Sequence, residues 1–333
     1  MPEPQSSPGV KRGATETVFI SIAAYCDPLL EFTLRSAFSQ ASHPGRLRFG
    51  IVEQALPEQQ LRLQGEWAST MRWTRVHALQ ARGPCWARAL AMALYEGEDW
   101  FLQIDSHTWF EPGWDDALLH WAHRLADVHP RHLISGYPNP FRMRDGQPRA
   151  ELVTHRVLAH VVKQDSDFAA AGPVLLFEGV PVDSTEPVPG LHIAAGCLFA
   201  PGRAVYELPY DPGLYFHGEE QAYALRAWTR GWDIVHIPGL PMYHLYHAAG
   251  QATRPLHWSP EHDTKRATTS AEMTARATAR LATLLFDGGD TGEHLGVYGL
   301  GRERSLADYA SFSGIDYGRR CIEPRARKAR FGY

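Results

Sequence analysis

Only four of the 333 residues are cysteines, Cys26, Cys85, Cys197 and Cys321, and no two stand in a Cys-x-x-Cys pair. That excludes a disulfide framework and a zinc knuckle, and leaves reduced thiols. No apolar run approaches the ~20 residues that a membrane-spanning helix needs, so no membrane span is expected. The first residues, Met1 to about Thr15, are rich in Pro, Ser and Gly with Lys11 and Arg12, and they lack the apolar stretch of a secretory leader. Residues 1–16 are therefore expected to be disordered, and the protein soluble and cytoplasmic. A basic excess is missing too. The formal charge is −4 with both signs interspersed, whereas a nucleic-acid binder more often carries a basic stripe. No nucleic-acid partner is expected, and any anionic ligand must be met by local charge. Neither an internal repeat nor a low-complexity linker divides the chain.

What is present is a hydrophobic fraction of 44%, enough for a substantial core. Residues 17–24, TVFISIAA, form a β-branched and nearly continuous apolar run, the pattern of a strand buried on both faces of a parallel sheet. Asp27-Pro28 then offers a helix start, followed by Leu30, Leu34, Ala37 and Phe38 at helical spacing. Leu47 to Glu53 predicts a second strand. Gly83-Pro84 opens a helix striped by Ala87, Leu90, Ala91 and Leu94, with Gly97 as its expected stop. Trp100 to Ile104 predicts a third strand, ending in Asp105-Ser106-His107. The second half is less regular, with short strands expected at Leu133–Tyr137, Leu175–Phe177, Ile193–Phe199 and Trp232–Ile237. Helices are expected over about Glu219–Arg230 and Ser270–Phe286. The organisation predicted is one α/β domain over 17–264, with a nucleotide part over about 17–110 and an acceptor part over about 111–264. A C-terminal helical extension over 265–333 packs on it.

Ligands of open α/β sheets bind beyond the carboxyl ends of the strands, which singles out Asp105 and His107. If strand geometry continues, residues i and i+2 share a side and both can grip one ion while Ser106 points away. A carboxylate with an imidazole favours Mn²⁺, with Mg²⁺ as the alternative. Asp105 serves equally well as a turn cap, so context matters. Arg82 and Arg88 bracket a helix start, where cations are disfavoured unless an anion such as a diphosphate lies between them. Glu219 and Glu220 open another helix; either they serve its dipole or one of them, Glu219 for preference, touches sugar or acceptor. His244, or failing it His247, supplies a later imidazole for the ion. Trp109, Trp114, Tyr210 and Tyr215 line an acceptor groove or pack the core.

Taken in order, SIAAYCDPLLEFTL, GIVEQ, ARGPCWAR, EGEDWFLQIDSHTWFEPGWD, AAGCLFAPG, LPYDP, FHGEEQAYALRAWTRGWDI, YHLYH and YGLGRERSLADYASFSGID resemble the Skp1-type protein hydroxyproline N-acetylglucosaminyltransferases, over roughly residues 17–316. More widely, the chain is similar to the polypeptide N-acetylgalactosaminyltransferases, which carry Asp-x-His and a later histidine as metal ligands. The resemblance implies a GT-A fold, a Rossmann-like mixed sheet flanked by helices. It also implies Asp105, His107 and His244 as ligands, and Ala23, Tyr25 and Asp27 as the nucleoside-binding end of the first strand. Together with Arg82, Arg88, Asp105 and Ser106 these make the expected donor-binding set, with Tyr25 against the uracil and Asp27 on its ring or the ribose. Activity implied is transfer of N-acetylglucosamine from UDP-GlcNAc, with retention, to a hydroxyl on a protein, peptide or saccharide. Glu219, Glu220 and Arg88 would serve catalysis. A metal-dependent hydrolase and a non-catalytic sugar-nucleotide sensor are the competing classes.

Overall fold

The computed structural model describes residues 16–63, 66–151, 156–168, 172–246, 254–286 and 295–329. The expected disorder of residues 1–16 and the alternative ligand His247 lie outside them, apart from Glu16. In chain order the elements are β1 (Val18–Tyr25), α1 (Leu30–Gln40), β2 (Leu47–Ala55), β3 (Met71–His77), α2 (Pro84–Met92), β4 (Trp100–Asp105), β5 (Thr108–Phe110) and α3 (Trp114–Ala126). There follow β6 (His132–Ser135), β7 (Asn139–Arg144), β8 (Gln147–Ala150), β9 (Val157–Val162), β10 (Phe177–Val182), β11 (Val188–Gly190), β12 (Cys197–Pro201) and α4 (Ala204–Glu207). Last come α5 (Glu219–Thr229), β13 (Asp233–His236), β14 (Met242–His244), α6 (Pro260–Asp263), α7 (Ser270–Phe286), α8 (Leu306–Ser313), β15 (Ile315–Asp316) and β16 (Cys321–Ile322).

Eight strands make one mixed sheet in the order β11-β13-β6-β12-β4-β1-β2-β3. Its β3-β2-β1-β4 half is parallel, and β12 runs against both β4 and β6. Both faces of β1 are covered, as its unbroken apolar run requires. Val18, Ile20 and Ile22 join a core with α1 and α3, while Phe19 joins the opposite core with α2, α5 and α7. Helices α7 and α8 belong to that second core and touch α5, so the C-terminal region shares the sheet's hydrophobic interior. A smaller sheet, β5-β14-β7-β8, stands at the carboxyl end of β4.

Strands β1, β2 and β4 and helices α5 and α7 lie where the pattern predicted, whereas α3 was not expected. Four further details differ. The strand ending in Asp105 is the fourth, because β3 intervenes; MRWTRVH is an edge strand of half-buried residues and lacks an apolar run. Helix α2 stops at Met92, well before Gly97, with the Ala93 amide capping onto Ala89 and Ala91 carbonyls. Only Cys197–Phe199 of the expected 193–199 strand is extended, running on to Pro201, because Cys197 N donates to Ala194 O in a turn around Gly196. The strand expected at Leu175–Phe177 begins at its last residue and runs to Val182.

Under the sheet lies a group of buried histidines. His236 Nδ1 donates to Ser135 O at 2.7 Å, which leaves Nε2 to accept from the His160 amide at 3.4 Å. Burial pushes His236 down to about 4 and His160 well below the usual imidazole range, with neighbouring imidazoles adding to the effect. An unfolded chain takes up these protons near 6.5 while the folded sites resist until about 4, so it binds more protons across that window. Stability present above pH 6.5 is therefore lost as the pH falls toward 4. Calorimetric Tm should drop steadily between pH 7 and 4.5, and the slope should flatten in His236→Gln; an unchanged slope would refute the account.

Candidate active site

Three potential ligands converge at the carboxyl end of β4. One ligand atom each from Asp105, His107 and His244 lie within 4.8 Å of one another. His107 is not placed by strand alternation as expected, because the strand ends at Asp105. A tight turn over residues 106 and 107, closed by Thr108 Oγ1 donating to Asp105 O at 2.9 Å, swings the imidazole back. His244 arrives by register, since β14 pairs antiparallel with β5 and sets His244 opposite Thr108. The two imidazoles meet at 4.6 Å between centroids, and His244 Nε2 stands 3.1 Å from Asp105 Oδ2.

The protonation states suit a cation. Burial opposes the Asp105 charge, but the hydrogen bond from His244 and the guanidinium of Arg88 outweigh it and hold this carboxyl well below the usual range. Burial pushes His244 down to about 4, against the pull of Asp105. A carboxylate and a neutral imidazole such as these of Asp105 and His244 are what a divalent ion takes as ligands. Asp27 Oδ2 accepts from His107 Nδ1 at 2.7 Å, which leaves the lone pair on His107 Nε2. His244 Nδ1 is buried with no hydrogen bond among the described residues. A Cβ on Gly196 would come within 2.9 Å of Asp105 Oδ2 and 3.7 Å of the His244 ring, so the glycine of AAGCLF makes room for the carboxylate.

Behind Asp105 sits Arg88, 5% exposed, donating to Asp105 Oδ1 at 2.8 Å and to Glu219 Oε1 at 2.6 Å. Glu219 Oε2 accepts from the Cys85 thiol at 2.9 Å. Burial pushes the Glu219 carboxyl up, against the Arg88 charge.

Several expectations need correction. Arg88 and Arg82 do not form one anion cradle, because Arg88 is consumed by two carboxylates inside the fold. Arg82 is exposed, its guanidinium 5.8 Å from the Trp86 ring centroid, and lines a separate groove of about 820 Å³ with Tyr215, Arg266 and Arg276. Glu219 is buried with both oxygens engaged, so it meets no acceptor; Glu220 is the more accessible, its side chain 29% exposed with Oε1 accepting from the Ala195 amide. Asp27, its side chain 1% exposed, accepts from Ser106 Oγ, His107 and the Leu29 amide, which leaves it neither for a nucleobase nor as the residue next to the helix. Ser106 is spent on that carboxylate. The Tyr25 hydroxyl donates to His262 Nδ1 at 2.7 Å and accepts from Arg266, and His257 packs edge-on against its ring, so Tyr25 is not an open stacking surface. Ala23 is half-buried at the end of β1. Trp114, Tyr210 and Tyr215 are core residues; Trp109 stacks on Tyr243. Reasoning on the sequence missed Gly196 and Arg254, whose Nη2 donates to His107 Nε2 at 2.9 Å. The lone glycine beside a strand was the one available hint; Arg254 follows a stretch without periodicity.

The mixed sheet with helices on both faces has the GT-A glycosyltransferase fold, and the Asp-His-His cluster stands at the carboxyl end of its fourth strand. The profile of the family described as "Glycosyltransferase (GlcNAc)" matches residues 17–66 and 57–319, and the chain belongs to that family. No curated protein sequence matches it. The structure of GalNAc-T7 with UDP, GalNAc and Mn²⁺ has a similar fold, with a TM-score of 0.56 at 14% identity, covering 84% of this chain and 49% of that chain. S. aureus TarS 1–349 matches with a TM-score of 0.44 at 12% identity, covering 69% of this chain and 60% of that one. The chain thus spans about half the length of GalNAc-T7. Among the described residues no helix is long and apolar enough to cross a membrane.

Removing the buried guanidinium leaves two carboxylates without their shared counter-charge. Arg88→Met should lower stability by about 3–5 kcal/mol in urea unfolding; a loss below about 1 kcal/mol would show that Arg88 does not hold the site together.

Proposed function

We propose that this chain transfers N-acetylglucosamine from UDP-GlcNAc, with retention, to a hydroxyl of a protein, peptide or saccharide acceptor, using Mn²⁺ or Mg²⁺ held by Asp105, His107 and His244. The observation that carries this is the convergence of those three side chains, in protonation states fit for a cation, where GT-A folds take their donor. Family membership supports the sugar, and the Mn²⁺ and UDP of the GalNAc-T7 structure support the cofactor and the nucleotide. Resemblance to the Skp1-type hydroxyproline transferases favours a protein hydroxyl. The buried unpaired thiols of Cys26, Cys85 and Cys197 agree with a reducing, cytoplasmic setting.

A bound divalent cation supplies Lewis-acid stabilisation for charge developing on the departing UDP. The protein's part is orientation. Arg88 pins Oδ1 of Asp105 and leaves Oδ2 facing the imidazoles. Asp27 holds His107 by Nδ1. Ala23 borders the nucleoside, and Arg82 is the exposed cation on that side. Glu219 has both oxygens engaged and takes no part in proton transfer, so the acceptor proton passes to the leaving phosphate in front-face attack. Glu220, reached from the Asp105 side of the sheet through Ala195, positions the acceptor or a sugar hydroxyl.

Donor hydrolysis tests this without knowing the acceptor. UDP-GlcNAc should be hydrolysed with Mn²⁺ and not with chelator, and Asp105→Ala should abolish turnover; unchanged turnover in that variant sinks the proposal. Asp27→Asn should weaken Mn²⁺ binding about 10- to 100-fold in calorimetric titration, with the fold intact by circular dichroism.

A further inference from the structure

Arg254 has no part in the scheme above, yet it stands against the cluster. Its side chain is 12% exposed, Nη2 donates to His107 Nε2 at 2.9 Å, and Nε lies 3.9 Å from Asp27 Oδ2. Nη1 is buried and makes no hydrogen bond among the described residues. The hydrogen bonds along this line have a fixed sense. Asp27 only accepts, so His107 Nδ1 carries the ring proton; Arg254 only donates, so His107 Nε2 presents its lone pair. An imidazole nitrogen has a single in-plane lone pair. It can accept from a guanidinium or bind a metal, and it cannot do both.

We propose that Arg254 and the divalent cation are alternative occupants of His107 Nε2, so that loading the cation displaces Arg254 and frees its guanidinium for the anionic donor. This rests on the cation site proposed above. In this structure Arg254 supplies positive charge beside Asp27 and against His107, charge that a divalent ion would bring in its place. Once displaced, the guanidinium has lost its acceptor, and a nucleoside diphosphate offers it a bidentate one. Cation and nucleotide then favour each other's binding through one side chain.

Calorimetric titration of the full chain with MnCl₂, without and with UDP, tests the exchange. Without nucleotide, Arg254→Gln and Arg254→Met should each bind Mn²⁺ about tenfold more tightly than the unmodified chain, about 1.4 kcal/mol at 25 °C. With UDP, the gain in Mn²⁺ affinity should be smaller in both variants than in the unmodified chain. Asp105→Ala should lose Mn²⁺ binding. Equal or weaker Mn²⁺ binding in both Arg254 variants, with binding still lost in Asp105→Ala, overturns the exchange and leaves the cation site standing. Mn²⁺ binding unaltered by Asp105→Ala overturns the cation site and the exchange with it. Two substitutions of different polarity, each checked by circular dichroism, separate this effect from a local folding defect.

Discussion

The guanidinium of Arg88 is the constraint on which the site depends. It is buried where α2, α5 and the end of β4 meet, and it donates to a carboxylate from each of the last two. Taking such a charge out of water costs several kcal/mol, which is recovered only if the partners are close and well directed. Both partners here are within 2.8 Å, and the Tyr210 ring lies 5.6 Å from the guanidinium carbon. The position of Asp105 Oδ1 is thereby tied to two helices on one face of the sheet. Cys85 extends the same network by closing the second oxygen of Glu219.

The other ligands are fixed from the opposite side. Asp27, beyond the end of β1, gathers Ser106, His107 and the Leu29 amide onto one carboxylate, with burial opposing its charge and these hydrogen bonds holding its carboxyl below the usual range. His244 comes from the small sheet, set by pairing of β14 with β5. Three independent pieces of structure therefore meet at one point: the Arg88 network, the loop after β1, and a strand pairing.

Much of this was legible in the sequence. A continuous apolar run announces a strand covered on both faces, and β1 is one; amphipathic spacing placed α5 and α7 within a residue of their observed bounds. Asp105, His107 and His244 were picked out by strand-end position and by family resemblance. What failed was the partner of each polar side chain. Arg88, Glu219, Asp27 and Ser106 look like ligand-binding residues because they flank helix or strand ends, yet they bind one another. Spacing tells which residues share an element, whereas their partners lie 17 to 131 positions away and are chosen by packing. The edge strand β3 escaped for a related reason, since half-exposed positions carry little apolar signal.

The same distinction separates two kinds of arginine in this protein. Arg88 satisfies carboxylates that never leave the fold, so its charge is structural and unavailable to a substrate. Arg82 is exposed, and Arg254 leans on a neutral imidazole, a weaker acceptor than a carboxylate. A guanidinium held by a neutral partner gives up less on moving than one held by two anions. On the proposed reading, the diphosphate charge beside the cluster must therefore be met by Arg254 and the cation, and not by the arginine whose place at the helix start first suggested it. Burying Arg88 beneath the site keeps Asp105 ionised before any ligand arrives, so the ligand set needs no rearrangement of the sheet on loading.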